Sequence, residues 1–206
     1  MRLLRKVNKG LILTIIVLIL LVTYCICVEK QRNADKTEIK KVCEKFINLA
    51  DKYVVAPEKM QNTSQELSSA NEEEIQKNLN NELKEIMINN PEAIEIQSST
   101  IMEALKNGYT DKKMKIKNER TITKISNYEF DGNQVEVTFN STLNVAYKYI
   151  DNGSEKEKTN TFNNSSELIT LQKVDGKWKV VYSHLQFEVG NNYNNTYESE
   201  LNPLVM

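Results

Sequence analysis

The chain has 206 residues, enough for one ordinary domain and an additional short segment. Its 27 basic and 28 acidic residues nearly balance. This balance argues against a nucleic-acid partner, because proteins that bind nucleic acid usually carry a surplus of basic residues on one face. One histidine and three cysteines cannot build a metal site of known ligand spacing, so no metal and no cofactor is predicted.

Residues 10–28 form an apolar segment without a charged residue, and 13 of these 19 residues are Leu, Ile or Val. A helix of this length measures about 28 Å, close to the ~30 Å hydrocarbon core of a bilayer. The sequence therefore predicts a transmembrane helix that contacts membrane lipid. Four basic residues and no acid precede it, which favours a cytoplasmic tail at 1–9 and an extracytoplasmic remainder. The predicted location is the cell membrane, crossed once.

Two alternatives stay open for this segment. A cleaved signal peptide would place Cys25 and Cys27 at the small-residue positions before the cleavage site, although its apolar stretch is usually shorter. A lipid-anchored cysteine needs a small residue before it, whereas Tyr24 precedes Cys25 and Ile26 precedes Cys27. An uncleaved transmembrane anchor is therefore the preferred interpretation.

A polar linker is predicted at residues 29–35, followed by the first helix of a folded domain. Asp35 and Glu38 have the spacing of a capping box, and Pro57 cannot continue a helix. Cys43, the only cysteine beyond the apolar segment, is interpreted as a buried thiol. Apolar residues at intervals of three and four predict one buried helix face: Ile39, Val42, Cys43, Phe46, Leu49, Ala50 and Tyr53.

Two further helices are predicted. Asn71 and Glu74 have the spacing of a second cap, and an apolar stripe follows as far as Met87. Pro91 suits the first turn of a third helix, which Gly108 is expected to end as a C-terminal cap.

Beyond the third helix the apolar residues alternate, which predicts four strands in an antiparallel meander. The first begins at Ile122, the second is long with a bulge near Ser141, the third covers 157–173 and the fourth 178–189. Apolar residues on both faces of the fourth strand predict a central position, covered by helices on one side. A flexible tail is expected at 190–206. The links between strands favour positive φ in tight hairpins: Asp131–Gly132, Asn152–Gly153 and Asp175–Gly176.

Three helices followed by a curved meander resemble the nuclear-transport-factor-2-like superfamily, also called cystatin-like or ketosteroid-isomerase-like. The most specific piece is SSELITLQKVDGKWKVVYSHLQF at 165–187, which is similar to the closing hairpin of bacterial members. The resemblance covers residues 36–189 and implies an α+β fold in which three helices pack on a four-stranded meander, forming a cone-shaped barrel. With its single N-terminal span, the chain looks like a Gram-positive cell-envelope member. The superfamily includes enzymes, binding modules and scaffolds, so the fold alone selects no function.

Three residues are candidates for a ligand site: His184, Tyr147 and Tyr149. His184 is the only histidine, and it is predicted to lie on the same strand face as Val180 and Tyr182. An enzyme of this superfamily would hold a histidine or aspartate deep in the cone-shaped pocket as its general base. A strand histidine is more often structural, and tyrosines on a strand more often pack against helices. Because the sequence has no nucleophile motif and no phosphate-binding glycine loop, no catalytic residue and no enzyme activity is predicted.

The leading hypothesis is a non-catalytic envelope protein whose outward domain mediates protein–protein interaction or assembly, in a secretion, conjugation or cell-wall complex. The alternative is a small-ligand-binding or isomerase-like pocket anchored at the membrane, and a wall-sensing module is a third hypothesis. A deep cavity with His184 at its base would favour the pocket. An interior filled by Trp178, Phe139 and Tyr147 would favour the scaffold.

Overall fold

The computed structural model describes residues 9–62 and 66–187. Three helices precede a four-stranded antiparallel sheet, which confirms the predicted α+β class. The predicted tail at 190–206 and the first eight residues lie outside the described part of the chain. The helices are α1 (Lys9–Tyr53), α2 (Ser69–Ile86) and α3 (Pro91–Thr110), with a short 3-10 turn at Glu58–Met60. The strands are β1 (Lys113–Asp131), β2 (Gln134–Asp151), β3 (Ser154–Val174) and β4 (Lys177–His184).

α1 is one continuous helix of 45 residues, about 67 Å long, that joins the apolar segment to the folded domain. Its N-terminal stretch is long and apolar enough to cross a membrane, and none of it is buried within the protein. Residues 29–35, predicted to be a linker, are helical, so the expected break between two helices is absent. This segment lacks Gly and Pro, and the Gln31 amide donates to Asp35 Oδ1 one turn later (3.3 Å). Nothing in the segment therefore interrupts the helix.

The domain part of α1 buries the predicted apolar face, with Val42 half-buried and the other members buried. The helix ends at Tyr53, shortly before Pro57, as predicted. Asp35 does not cap it. The Asp35 carboxylate instead accepts hydrogen bonds from Lys173 Nζ (2.6 Å) and Trp178 Nε1 (3.3 Å), which attach α1 to the β3–β4 hairpin.

The caps of α2 and α3 correct two predictions. α2 begins earlier than expected, because its cap is Ser68, whose Oγ accepts the Asn71 N–H (3.3 Å). α3 starts at Pro91 as predicted but does not end at Gly108, since it continues to Thr110. Gly108 faces the start of β1, where an added Cβ would lie 3.5 Å from the Lys113 carbonyl oxygen.

The sheet has the predicted meander order β1-β2-β3-β4. β4 is therefore an edge strand, and the predicted central position is wrong. β1 begins at Lys113, well before the predicted Ile122. All three links contain positive φ angles where the sequence favours them, as at Asn152 (φ 51°) and Gly153 (φ 77°).

Bulges change which side chains face the helices. In β4, Thr170 pairs with Tyr182 and Leu171 with Val180, so Val181 is an extra residue. Before the bulge even-numbered side chains are buried, and after it odd-numbered ones are, which explains the apolar residues on both faces. A second irregularity lies between Phe139 and Ser141, as predicted, and β1 has three more.

The core lies between the helices and one face of the sheet. Phe46 of α1, Leu79 of α2, Ile101 of α3 and Phe139 of β2 are all fully buried there. Burying such a side chain contributes about 1.5–3 kcal/mol, so this core holds the domain part of α1 against the sheet. A smaller cluster continues along β2 and β3: Leu143, Val145 and Tyr147 with Phe162.

Candidate functional site

The three residues singled out in the sequence do not converge. Tyr147 pairs with Lys158 of β3 and His184 pairs with Leu168, so ten residues of β3, about 33 Å, separate them along the sheet. Tyr147 is buried and Tyr149 is half-buried.

His184 is exposed at the end of β4. The predicted orientation with Val180 is wrong, because the extra residue Val181 reverses the alternation between Val180 and His184, whereas Tyr182 lies on the same face as His184. Its imidazole therefore lies on the solvent side of the sheet, outside the core.

A buried ionic network lies where the sequence indicated no site. Arg120 Nη1 of β1 donates to Glu167 Oε1 of β3 at 2.6 Å, and both side chains are fully buried. Asp51 of α1 lies beside them: its Oδ2 accepts the Arg120 backbone N–H (2.7 Å), and its Oδ1 accepts from Asn118 Nδ2 (2.7 Å). Three elements that are distant in sequence thus meet through one arginine and two carboxylates.

The same network holds the chain that leaves β4. Glu167 Oε1 accepts the Gln186 N–H (3.0 Å), and Arg120 Nη2 donates to the Gln186 carbonyl oxygen (2.8 Å). Lys115 Nζ donates to the Phe187 carbonyl oxygen (2.6 Å), and the Phe187 ring centroid lies 5.3 Å from the Arg120 guanidinium carbon. These buried polar groups bind backbone, so the network fixes the path of the chain after β4.

Asp51 is the titratable member of this network. Burial raises the pKa of its carboxyl to about 6, against the lowering effects of Arg120 and the donated hydrogen bonds. The charge of Arg120 is the largest of the lowering effects on the Asp51 pKa, but burial outweighs it because the guanidinium pairs closely with Glu167 and stands 3.9 Å from Asp51 Oδ1. Asp51 is 4% exposed, so a substrate has little access to this carboxyl. The arrangement is suited to structure rather than to proton transfer.

One sequence signal, which no prediction used, could have located the network. Asp51 continues the apolar face of α1, beside Ala50 and Val54, where a carboxylate needs a buried partner. Arg120 and Glu167 gave no such signal, because bulges obscure the alternation of β1 and β3.

A surface groove of about 720 Å³ opens at the end of α1. Its floor is largely apolar, and its rim carries charges of both signs. Tyr53 lies 25 residues after Val28, about 38 Å along the helix, so the groove is at the end of the domain remote from the apolar segment. The floor includes Tyr53, Ala56, Met60, Ile75 and Ile116. The rim includes Lys52, Glu58, Glu74, Lys148 and Glu157.

Hydrogen bonds fix the walls of this groove. Lys52 Nζ (2.7 Å) and the Tyr53 hydroxyl (2.8 Å) both donate to Glu82 Oε1, which joins α1 to α2. The Tyr109 hydroxyl donates to the Met60 carbonyl oxygen (3.0 Å), which ties the 3-10 turn to α3. The groove is therefore a preformed surface.

Within residues 9–62 and 66–187, no three His, Cys, Asp or Glu side chains group in a way that could hold a metal ion. No protein-family model and no curated protein matches the chain. Among solved structures the chain is similar to a nuclear transport factor 2 (NTF2-like) superfamily protein from Salmonella enterica subsp. enterica serovar Typhimurium. The TM-score is 0.43 and the identity 14%, over 81% of this chain and 99% of that one. A similarity this distant carries no functional argument.

Proposed function

We propose that this chain is a single-pass protein of the cell membrane whose extracytoplasmic domain binds another envelope protein. The apolar segment of α1 is the anchor, and the N-terminus is cytoplasmic. The observation that carries the proposal is the continuity of α1 from the apolar segment into the domain core. A helix without a break gives the domain a defined height and orientation above the membrane, which an assembly component needs.

The packing of the interior supports a binding role over a catalytic one. Phe139, Trp178 and Tyr147 are buried, and the buried carboxylate of Glu167 is bonded to protein donors. His184, the best candidate for a general base, faces solvent. These features weigh against the alternative of an isomerase-like pocket.

The groove at the end of α1 is the surface best suited to a protein partner. Apolar contact area surrounded by charged groups is the usual composition of a protein–protein interface. With Lys52 and Lys148 beside Glu58, Glu74 and Glu157, the rim offers both signs and selects a partner with complementary charges.

Site-specific photo-crosslinking in living cells tests this proposal. A photoreactive residue at Asn78, in the groove wall, is expected to form a discrete adduct with an envelope protein. The matched control places the same residue at Glu103, an exposed position of α3 outside the groove lining, and should give no such adduct.

The Asn78 adduct should also disappear when Val55→Asp puts a charge in the groove, at unchanged protein level. Adducts that are equal at Asn78 and Glu103, or insensitive to the Val55 change, would contradict binding through the groove. External protease should degrade the domain in spheroplasts, and full protection would contradict the extracytoplasmic location.

A further inference from the structure

We propose that the β1–β2 and β3–β4 turns rest on the phospholipid headgroups, so that the domain lies flush on the membrane surface. We call these two links, Asp131–Gln134 and Val174–Lys177, the proximal turns. The inference rests on the proposed membrane anchor and adds a second, peripheral contact between the domain and the lipid.

The first support is the direction of β1 relative to α1. Near the groove end, Asp51 accepts the Arg120 N–H. Fifteen residues back along α1, Lys36 Nζ lies 5.5 Å from the Tyr128 ring centroid. One turn further back, the Arg32 guanidinium carbon lies 5.9 Å from the Phe130 ring centroid. β1 therefore runs antiparallel to α1 and approaches the apolar segment at its C-terminal end.

β4 gives an independent measure of the same geometry. At its start, Trp178 Nε1 donates to Asp35 of α1, whereas Gln186 beyond its end bonds Arg120, at the level of Asp51. β4 thus runs in the same direction as α1, away from the apolar segment. The turn at Asp175–Gly176, which precedes β4, is closer to that segment than Trp178 is.

The heights of the two proximal turns above Val28, the end of the apolar segment, can be estimated from the rise per residue of a helix and of a strand. Asp35 is seven residues beyond Val28, or about 10 Å, and Arg32 is four residues beyond it, or about 6 Å. Gly132 and Gly176 are each two strand residues closer to the segment than Phe130 and Trp178, or about 7 Å. Gly176 therefore falls about 3 Å beyond Val28 and Gly132 at about the level of Val28, so the two turns lie inside and at the inner boundary of the headgroup layer, which is about 5–8 Å thick on each side of a bilayer.

The side chains at this level suit a lipid interface. Tyr128 and Phe130 are half-buried on this part of β1, and Phe130 contacts the buried Trp178; the ring centroids are 6.4 Å apart for Tyr128 and Phe130 and 6.3 Å apart for Phe130 and Trp178. Aromatic side chains are typical of membrane interfaces because they combine an apolar ring with a polar edge. Val174 is 41% exposed at the end of β3, where it can contact lipid, and Lys177 lies beside it.

Charges at this level come in both signs, which indicates a surface suited to phospholipid headgroups in general rather than to anionic ones alone. The exposed basic residues are Lys30, Arg32 and Lys177. The exposed acidic residues are Glu29, Glu129, Asp131 and Asp175. Lys173 and Asp35 pair with each other at 2.6 Å.

The single tryptophan of the chain makes the contact measurable. The full-length protein is reconstituted in phosphatidylcholine vesicles that carry a spin label either on the headgroup or deep in the acyl chain. The expected result is that the headgroup label quenches Trp178 emission measurably and more than the deep label does. A seven-residue helical insertion after Val28 raises the domain by about 10 Å and should abolish the quenching.

A matched pair of variants uses two exposed apolar residues at opposite ends of the sheet. In a Trp178→Phe background, Val174→Trp reports on a proximal turn and Ile150→Trp reports on the remote hairpin. The pair is matched because the exposed fractions of Val174 and Ile150 are 41% and 42%. Only the tryptophan at 174 should be quenched by the headgroup label.

The outcomes separate the two proposals. Flotation of the vesicles in a density gradient shows whether the protein is membrane-bound. If the protein does not float with the vesicles, the anchor is wrong and the proposed function is wrong with it. Two results would show that the protein is anchored but that the flush orientation is wrong. One is equal quenching of the tryptophans at 174 and 150, and the other is no quenching of Trp178 in the unmodified protein by the headgroup label. Circular dichroism checks that each variant keeps the fold of the parent.

Discussion

Arg120 and Glu167 form a fully buried ion pair that passes over β2, because β1 and β3 are both neighbours of that strand and not of each other. Ser141 of β2 leaves room for the pair and donates its hydroxyl to the free oxygen of the same carboxylate. A third donor, the Gln186 N–H, comes from the chain after β4. One ion pair therefore links three strands and the C-terminal end of the described chain.

Replacing Glu167 with glutamine should destabilise the protein strongly. The change keeps the shape of the side chain but removes the closer of the two carboxylates beside a buried guanidinium, and breaking a buried pair in this way costs about 3–5 kcal/mol. Urea unfolding of the detergent-solubilised full chain, followed by circular dichroism, measures the loss. The control is Glu119→Gln, which removes an exposed pair with Lys117 on the same strand and should cost about 1 kcal/mol or less. Equal losses for the two variants would contradict the role given to the buried pair.

Asp51 should make the folded state less stable as the pH rises from about 4 to about 6. Burial raises its pKa from 3.8 to about 6, so in this window the folded state binds more protons than the unfolded state. The contribution of Asp51 to the free energy of unfolding is fully present below pH 3.8 and is lost above about pH 6. At about 1.4 kcal/mol for each pKa unit, it amounts to about 3 kcal/mol.

Urea unfolding between pH 4 and pH 7 measures this slope, and Asp51→Asn should remove it. The control Glu38→Gln changes an exposed acid of the same helix and should leave the slope in place. A slope that persists in the Asp51 variant would assign the pH dependence to another group.

Gly108→Ala should stabilise the protein by about 0.5–1 kcal/mol, because glycine in a helix interior is less favourable than alanine. The new Cβ would meet the Lys113 carbonyl oxygen at 3.5 Å, an ordinary contact distance. The matched change Gly176→Ala should destabilise, since Gly176 has φ 79° in the β3–β4 turn. Thermal unfolding of both variants checks the pair. A loss of stability at Gly108 would show that the added methyl group is not accommodated beside the Lys113 carbonyl oxygen.

Cys43 should not react with alkylating reagents in the folded protein. Burial raises the pKa of its thiol to about 12, and the side chain has no solvent exposure, so the reactive thiolate is absent. Iodoacetamide labelling is measured by mass spectrometry in a Cys25→Ala, Cys27→Ala background. Labelling should begin only with unfolding in urea, and rapid labelling without urea would show that the face of α1 around Cys43 opens.

Much of the fold could be predicted because its signals are local. The stripe from Ile39 to Tyr53 and the Asn-Gly and Asp-Gly pairs each specify an element through neighbouring residues. The start of β1 was harder to predict, because polar residues such as Lys115, Asn118 and Arg120 occupy its buried positions. Their partners are supplied by tertiary structure, and no local pattern contains them.

The candidate site was less predictable than the fold. The orientation of His184 depends on a single extra residue, Val181, and strand alternation alone cannot reveal it. Asp51, Arg120 and Glu167 are separated by more than forty residues along the chain and meet only when α1, β1 and β3 pack. The groove at the end of α1 likewise combines residues of all these elements with α2.

On the proposed membrane anchor, neighbouring chains would share one orientation, and the outer strands of their sheets would meet at a common height above the lipid. An unbroken outer strand of 19 residues would offer a row of peptide groups on which a neighbouring chain could add its own strand. The three bulges of β1 divide it into short regular runs, of which the longest is Lys117–Ile122. Each bulge interrupts the regular pairing within one molecule, and such interruptions disfavour the addition of a strand from a neighbouring chain.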